Sequence, residues 1–268
     1  MSFLRKSTIS LVALAVVLVI SKAPAKADDL GQTGRAAIEK WQSAIVNIQV
    51  VMKLSMTGDD AEAREMKAEA NGTVIDPSGL IVMSLSDVQP DEEIETMMRG
   101  DSSEKGKVST NLTDIKIRLS TGQEIPAKVV LRDKDLDLAF IAPKVKSTTK
   151  YTAIDLTKSA KASVLDQFLV LHRLGSVVNR TIAASSHRIV AQIDKPRTFY
   201  IPDVPAFDTP LGTPAIAVDG NPIGIMVVRV RTGSPTEGQD SNSKVIAIIL
   251  PCEDVLDAAK QALESTSK

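Results

Sequence analysis

The feature that most constrains this chain is a series of short segments in which apolar and polar residues alternate, separated by turn signals. Ile115, Ile117 and Leu119 alternate with Lys116, Arg118 and Ser120, as a strand with one buried face would. The tetrapeptide STGQ at residues 120–123 then predicts a hairpin turn, with a glycine to supply the positive φ that such turns need. Many short strands of this kind favour an all-β barrel or sandwich.

Strands and two helices account for most of the remaining pattern. Residues 34–43 contain helix formers and lead into the first strand, and residues 253–263 place apolar side chains near one face after Pro251. We expect the C-terminal helix to pack against the second half of the β region. Strands are predicted at residues 45–51, 72–75, 80–83, 115–119, 125–131, 138–142, 167–171, 186–193, 198–201, 223–230 and 245–249.

Three polar stretches interrupt these strands, at residues 55–70, 89–113 and 231–243. Charge runs of this kind are typical of solvated loops, and a partner-binding surface is the alternative. No histidine or cysteine lies near the acidic residues, and their spacing lacks a calcium-loop pattern. We therefore predict no metal site and no cofactor.

The amino terminus has the pattern of a secretory signal. Arg5 and Lys6 precede an apolar run over residues 11–20, and Ala25-Lys26-Ala27 supplies a small-x-small cleavage site. The run is shorter than the ~20 apolar residues of a membrane-spanning helix. We therefore predict a signal peptide at residues 1–27, cleavage after Ala27, and export to the periplasm or the extracellular space. An uncleaved membrane anchor is the alternative.

Composition excludes several function classes for the exported form. Removing a leader with four basic and no acidic residues lowers the formal net charge from -1 to about -5, which disfavours nucleic-acid binding. One Trp and two Tyr supply a poor stacking platform for bases. The single cysteine, Cys252, forms no internal disulfide, and we expect it to be a small buried residue.

Several segments resemble trypsin-like serine proteases of the HtrA/Deg type, in family order. Residues 71–83 (NGTVIDPSGLIVM) resemble the strand-turn-strand GSGVIIDPDGYILTN, and residues 114–122 (DIKIRLSTG) resemble the hairpin DxIxVxLxDG. Residues 125–130 (IPAKVV) and 133–139 (DKDLDLA) are similar to FPAKVV and DxxxDLAVL. Residues 207–225 (FDTPLGTPAIAVDGNPIGI) resemble the segment around the nucleophile, usually GNSGGP followed by a strand, a turn and IGI.

The resemblance implies the fold and the domain organisation. Two antiparallel six-stranded β-barrels of the trypsin-like type are expected, an N-terminal barrel at residues 34–146 and a C-terminal barrel at residues 152–250. Residues 251–268 would form a short helix and tail, so no PDZ-like domain is expected there. A polar linker near residues 143–151 would join the barrels, and the cleft between them would be the inherited active-site region.

The resemblance also implies that the catalytic triad is not intact. Ser86 stands where the family has its histidine, and Leu211 stands where it has its serine. Asp137 matches the aspartate of the family, and we interpret it as a hydrogen-bonded residue kept for structure. The two histidines of the chain, His172 and His187, match no base position and are expected to be surface or satisfied residues.

The oxyanion loop is altered as well. Thr209 replaces the first glycine of the family motif, Pro210 replaces its asparagine, and Gly212 remains. Proline removes one backbone donor and fixes φ near -65°, roughly, so the loop conformation should differ too. The loss of base, nucleophile and oxyanion geometry together disfavours hydrolysis, because removing triad members alone costs on the order of a million-fold in kcat.

Three function hypotheses follow. The first is an exported pseudoprotease that binds or scaffolds a peptide or protein partner in the cleft or along a strand edge. The second is an active serine or threonine endopeptidase with a rearranged site, using Thr209, Thr213, or Ser86 with Lys53 or Lys67. The third is a structural envelope protein that assembles through its long loops.

Overall fold

The structure is a computed structural model that describes residues 29–56, 63–98, 107–230 and 245–266. Helix α1 (Asp29–Trp41) precedes the first barrel, which contains β1 (Ile45–Met56), β2 (Arg64–Asp76), β3 (Leu80–Ser84), β4 (Val108–Arg118), β5 (Glu124–Asp133) and β6 (Leu138–Pro143), with helix α2 (Asp91–Met98) between β3 and β4. The second barrel contains β7 (Gln167–Arg173), β8 (Ile182–Ile193), β9 (Phe199–Pro202), β10 (Pro214–Ala217), β11 (Pro222–Val230) and β12 (Val245–Pro251). Helix α3 (Cys252–Thr266) follows.

Each set of six strands closes into an antiparallel barrel. The strand order is β1-β2-β3-β6-β5-β4 in the first barrel and β10-β11-β12-β9-β8-β7 in the second. Closure gives each strand a neighbour on both sides, although β10 pairs with β11 only from Pro222 to Ile225. The expected fold class is confirmed: the chain has two six-stranded β-barrels and a short C-terminal helix, the trypsin-like arrangement.

The alternation in the sequence predicts which side chains enter the core. Ile115 and Ile117 on β4 are buried, while their neighbour Lys116 is half-buried. One continuous apolar core extends across both barrels and includes Phe140 of β6 and Ile225 of β11. Cys252 is fully buried, as expected, and burial raises the pKa of its thiol to about 12. The barrels are therefore packed on each other rather than loosely tethered.

Two of the stretches predicted as loops are largely regular structure. Within residues 55–70, β1 continues to Met56 and β2 begins at Arg64, and the two strands pair up to Leu54 opposite Arg64. Within residues 89–113 the structure has α2 and the first half of β4. At the ends of long strands, charged side chains lie in solvent while hydrogen bonds of the ladder satisfy the backbone amides and carbonyls. A high density of charge is therefore compatible with a strand and does not by itself predict a loop. Residues 231–243 lie outside the described residues.

Helix α3 packs against strands of both barrels. The helix contacts β5 and β6 of the first barrel as well as β11 and β12 of the second. Its buried face carries Val255 and three alanines, at positions 258, 259 and 262. These small side chains let the helix lie close to strands of both barrels. The helix therefore packs against the second barrel, as expected, and it also packs against the first.

The connection between the barrels is hydrogen-bonded to the first barrel. It runs from the end of β6 at Pro143 to the start of β7 at Gln167. The amide of Tyr151 donates to the carbonyl of Pro77 at 3.0 Å, and that of Ile154 donates to the carbonyl of Val74 at 2.9 Å. These two hydrogen bonds hold the middle of the connection against β2 and the turn that follows it, so only part of the connection is an exposed polar linker.

Candidate functional site in the inter-barrel cleft

Asp137 lies in the tight turn between β5 and β6, facing the second barrel. Its backbone is in the left-handed region, with φ of 54°, a conformation that aspartate tolerates better than most residues. Its carbonyl accepts a 3.0 Å hydrogen bond from the amide of Leu85. This turn directs a carboxylate toward the segment that follows β3, which carries Ser84 and Ser86.

The carboxylate of Asp137 accepts four hydrogen bonds. Ser86 donates both its amide and its hydroxyl to Oδ1, each at 2.8 Å. The hydroxyl of Ser84 donates to Oδ2 at 2.5 Å, and the amide of Val228 donates to the same oxygen at 3.0 Å. A carboxylate offers about four acceptor sites, so these donors fill it. Because Val228 belongs to β11, the carboxylate links the two barrels.

Burial dominates the protonation of this group. Asp137 is 9% exposed, and the loss of hydration raises the pKa of its carboxyl from 3.8 to about 6. The hydrogen bonds from Ser84, Val228 and Ser86 act in the opposite direction, because they stabilise the charged form. Their combined effect is smaller than that of burial.

A cleft of about 280 Å³ opens beside Asp137. Both barrels line it, the first with Ser86 and Asp137, and the second with Val228 and Arg229. Carboxylates outnumber cations among the lining side chains, which include Asp91, Glu92, Asp135, Asp137, Lys134 and Arg229. The cleft thus has the size and the two-barrel lining of a small binding site, with an acidic bias.

Gly212 is the point at which the loop before β10 touches the first barrel. Its φ is 70°, and a Cβ there would lie 2.5 Å from the carbonyl oxygen of Asn71 and 2.9 Å from the Cα of Met83. Thr73 donates its hydroxyl to the carbonyl of Gly212 at 2.8 Å. The structure therefore brings the residue after Leu211 against the segment that carries Ser84 and Ser86.

The hydrogen-bond donors of this loop are used within the loop and its own barrel. The amide of Gly212 donates to the carbonyl of Met226 at 2.8 Å, and that of Thr209 donates to the carbonyl of Ala206 at 3.3 Å. The buried hydroxyls of Thr209 and Thr213 donate to the carbonyls of Pro205 and Pro210. Donors engaged in this way do not point at an incoming oxyanion.

The lysines considered for an unconventional dyad lie on β1 and β2. Lys53 pairs in register with Glu65, and Lys67 lines a surface depression with Gln49 and Lys116. The hydroxyl of Ser86 instead donates to Asp137. The geometry around Ser86 is that of a hydroxyl held by a carboxylate.

Both histidines lie on neighbouring strands of the second barrel, away from the residues that line the cleft. Burial lowers the pKa of His172 on β7, and its Nδ1 has no hydrogen-bond partner. His187 on β8 has two polar neighbours, with Nε2 2.9 Å from the hydroxyl of Ser185 and Nδ1 3.3 Å from Oδ1 of Asp203. Neither imidazole donates any of the four hydrogen bonds that Asp137 accepts from Ser84, Ser86 and Val228.

Two partners of Asp137 were not expected from the sequence. Ser84 lies two positions before Ser86, a spacing that places two strand side chains on one side, and this was the available signal. Val228 is 91 positions away and contributes only its amide. No pattern in side-chain types can indicate a backbone donor at that distance.

Two searches of the described residues gave negative results. No group of three or more His, Cys, Asp or Glu side chains in them is arranged to hold a metal ion. Among the same ranges, no helix combines the length and the apolar character required for a membrane crossing. The predicted leader, residues 1–27, lies outside the described part of the chain.

Comparison with known proteins shows a similarity in structure but none in sequence. No family model matches the chain, and no curated protein matches it. Among solved structures, the chain is similar to the MamO protease domain from Magnetospirillum magneticum in its apo form, at 14% identity over 81% of this chain and 96% of that chain, with a TM-score of 0.49. This distant likeness carries no argument about function. The closed barrels and the C-terminal helix give the chain a trypsin-like fold, and the HtrA/Deg type stays an interpretation of the sequence.

Proposed function

We propose that this chain is an exported trypsin-like pseudoprotease whose inter-barrel cleft binds a peptide or protein segment without cleaving it. The observation that carries the proposal is the filled carboxylate of Asp137. Within the described residues, Ser84, Ser86 and Val228 supply four hydrogen bonds to it, so Asp137 has a structural role between the barrels. An imidazole-orienting role would require one of these acceptor sites.

The chemistry of serine hydrolysis has little support in the cleft. It requires a nucleophilic hydroxyl, a base within hydrogen-bond distance, and donors aimed at the developing oxyanion. Leu211 has no hydroxyl, and the hydroxyls of Thr209 and Thr213 donate to backbone carbonyls. This arrangement favours binding over turnover.

The edge of β11 offers a place for an extended segment. β10 pairs with β11 only at its start, from Pro222 to Ile225. Beyond Met226, no strand in the described ranges pairs with the side of β11 that faces Asp137, where the amide of Val228 points. Peptides commonly add to such an edge through main-chain hydrogen bonds. The acidic bias of the lining favours a segment of positive net charge.

The binding proposal can be tested with fluorescent peptides of about ten residues, one basic and one acidic in composition, by fluorescence anisotropy. The basic peptide is expected to bind more tightly. Asp135→Lys and Glu92→Lys, which reverse charges at the cleft, should weaken its binding roughly ten-fold, equivalent to about 1.4 kcal/mol. Glu264→Lys makes the same charge change on the exposed surface of α3 and should leave the affinity unchanged.

Turnover is the second measurement. The mature chain is expected to leave unfolded casein intact over many hours. Cleavage that is lost in Thr209→Val or Thr213→Val would overturn the proposal in favour of a rearranged protease. Equal affinity of all three charge variants for the basic peptide would contradict the cleft as the binding site.

Export is the part of the proposal that rests on the amino-terminal pattern. Arg5, Lys6, the apolar run and Ala25-Lys26-Ala27 support a cleaved signal. Amino-terminal sequencing of the protein recovered from outside the cytoplasm should begin at Asp28. Recovery of the intact amino terminus in the membrane fraction would favour the anchor instead.

A further inference from the structure

A second group of chemically active side chains lies in the second barrel. Ser185 and His187 are two positions apart on β8, so their side chains lie on the same face of the strand. The hydroxyl of Ser185 is 2.9 Å from Nε2 of His187, and Oδ1 of Asp203 is 3.3 Å from Nδ1 of the same ring. Hydroxyl, imidazole and carboxylate thus follow one another in the order of a nucleophilic triad.

The surrounding fold holds each member in place. His187 pairs across the ladder with Phe168, and the two rings lie 5.8 Å apart between centroids. Asp203 follows β9 and is tied to β8 in both directions, because its amide donates to the carbonyl of Arg188 at 3.0 Å and its Oδ1 accepts from the amide of Arg188 at 3.1 Å. The imidazole is therefore positioned by packing on one side and by a fixed carboxylate on the other.

The hydroxyl is accessible from one side of the strand. β8 pairs with β7 from Ile182 to Arg188, but its pairing with β9 begins only at Ile189. Ser185 is half-buried, the side chain of His187 is 20% exposed, and that of Asp203 is 40% exposed. A small electrophile can reach such a site, whereas a folded protein substrate has little room.

We propose that Ser185 is a reactive serine that accepts an acyl group from small activated esters, and a phosphoryl group from fluorophosphates with loss of fluoride. With the imidazole proton on Nδ1 facing Asp203, Nε2 accepts the proton of the Ser185 hydroxyl as its oxygen attacks the carbonyl carbon. A new carbon-oxygen bond forms to Oγ, the bond to the leaving group breaks, and Nε2 returns the proton to that group. Attack by water on the acyl-serine releases the carboxylic acid and restores the hydroxyl.

Ser185 would touch the reacting atom and His187 the transferred proton, while Asp203 would act as a positioning residue. General base assistance of this kind is worth about 10²–10⁴-fold. Asp203 is partly solvated, so its contribution is expected to be smaller than that of His187. The inference is independent of the proposed cleft function, since none of the three residues lines the cleft.

The test uses the mature protein with diisopropyl fluorophosphate and with p-nitrophenyl acetate. Mass spectrometry of the labelled protein is expected to place the diisopropylphosphoryl group on Ser185. The acetate ester should give a burst of p-nitrophenol that is absent in Ser185→Ala. Ser186→Ala is the matched control, because Ser186 is adjacent on the same strand but faces the opposite side, and it should label like the wild type.

Two further variants separate chemistry from structure. His187→Gln should lower the labelling rate at least 100-fold while the melting temperature stays within a few degrees. Asp203→Asn should lower kcat for the acetate ester about ten-fold with little change in KM, because the ring loses the carboxylate that orients it. No label on Ser185, or a labelling rate unchanged in a folded His187→Gln variant, would overturn the proposal. Peptide binding in the cleft is measured separately and neither outcome affects it.

Discussion

The amide of Val228 in the second barrel donates a 3.0 Å hydrogen bond to the carboxylate of Asp137 in the first. The same carboxylate binds the segment after β3 through Ser84 and Ser86. A side chain that matches a catalytic aspartate by position therefore joins the two halves of the fold. Its protonation should accordingly be visible in the stability of the whole chain.

Asp137 predicts how stability changes with pH. Burial raises the pKa of its carboxyl from 3.8 to about 6 in the folded protein, so between these values the folded chain keeps a proton that the unfolded chain has lost. The free energy of unfolding therefore decreases as the pH rises from about 4 to about 6, by on the order of 3 kcal/mol from this group.

Urea unfolding between pH 4 and pH 7 measures this effect, with Asp137→Asn as the variant that removes the titration. The variant should lack this component of the pH dependence. Asp135→Asn, which changes an exposed neighbour in the same turn, should retain it. Parallel pH profiles for the wild type and Asp137→Asn would contradict the assignment.

Restoring two triad side chains should not restore hydrolysis. In the double variant Ser86→His/Leu211→Ser, the amides of Thr209 and Gly212 still donate to Ala206 and Met226, and Pro210 still lacks an amide proton. We expect no measurable cleavage of unfolded casein by a variant whose circular dichroism matches the wild type. Cleavage that disappears when Leu211 is returned would contradict this reading of the loop.

Gly212→Ala should be strongly destabilising because the new Cβ would meet backbone atoms of the first barrel. The expected loss is about 3 kcal/mol, from strain at φ of 70° together with a 2.5 Å approach to the carbonyl oxygen of Asn71. Gly122→Ala is the matched control, since its φ is 86° and no atom lies within 4 Å of the added Cβ. It should lose about 1 kcal/mol by urea unfolding. Equal losses would show that contact with the first barrel is unimportant.

Arg173 forms a second stabilising link between the barrels. Its guanidinium donates to the carbonyls of Ile45 at 2.5 Å, Gln42 at 2.6 Å and Arg180 at 3.1 Å. Arg173→Met should cost about 3 kcal/mol of unfolding free energy, because several carbonyls lose their donor.

Arg118→Met is the comparison for this effect. Arg118 forms a partly exposed ion pair with Glu124, and its loss should cost no more than about 1 kcal/mol. Urea unfolding of both variants at one pH decides the matter. A smaller loss for Arg173→Met than for Arg118→Met would contradict the structural role of the half-buried guanidinium.

The fold could be predicted from the sequence wherever one face of a strand is buried. The alternation around Ile115 and Ile117 indicates β4 correctly, because burial on one side requires a period of two. The charged ends of β1, β2 and β4 were misinterpreted as loops, since their side chains lie in solvent while the backbone continues its ladder.

The candidate site was partly predictable for a related reason. Ser86 and Asp137 were both singled out from the sequence and lie in contact in the structure, but the role of Val228 depends on how the barrels meet. The contact of Ser185 with His187 was missed because the strand was predicted to begin at Ser186, whereas β8 begins at Ile182 and includes Ser185. Asp203 reaches the ring only through the pairing of β8 and β9.

The close approach at Gly212 has a mechanical consequence. Backbone of the second barrel rests directly on backbone of the first, without intervening side chains whose rotation could absorb a displacement. The barrels should therefore move as one rigid body, and we expect no hinge at Gly212 that would widen the inter-barrel cleft. A ligand of the cleft must therefore fit between its existing walls. The width of the cleft limits the thickness of the ligand, whatever charge the ligand carries.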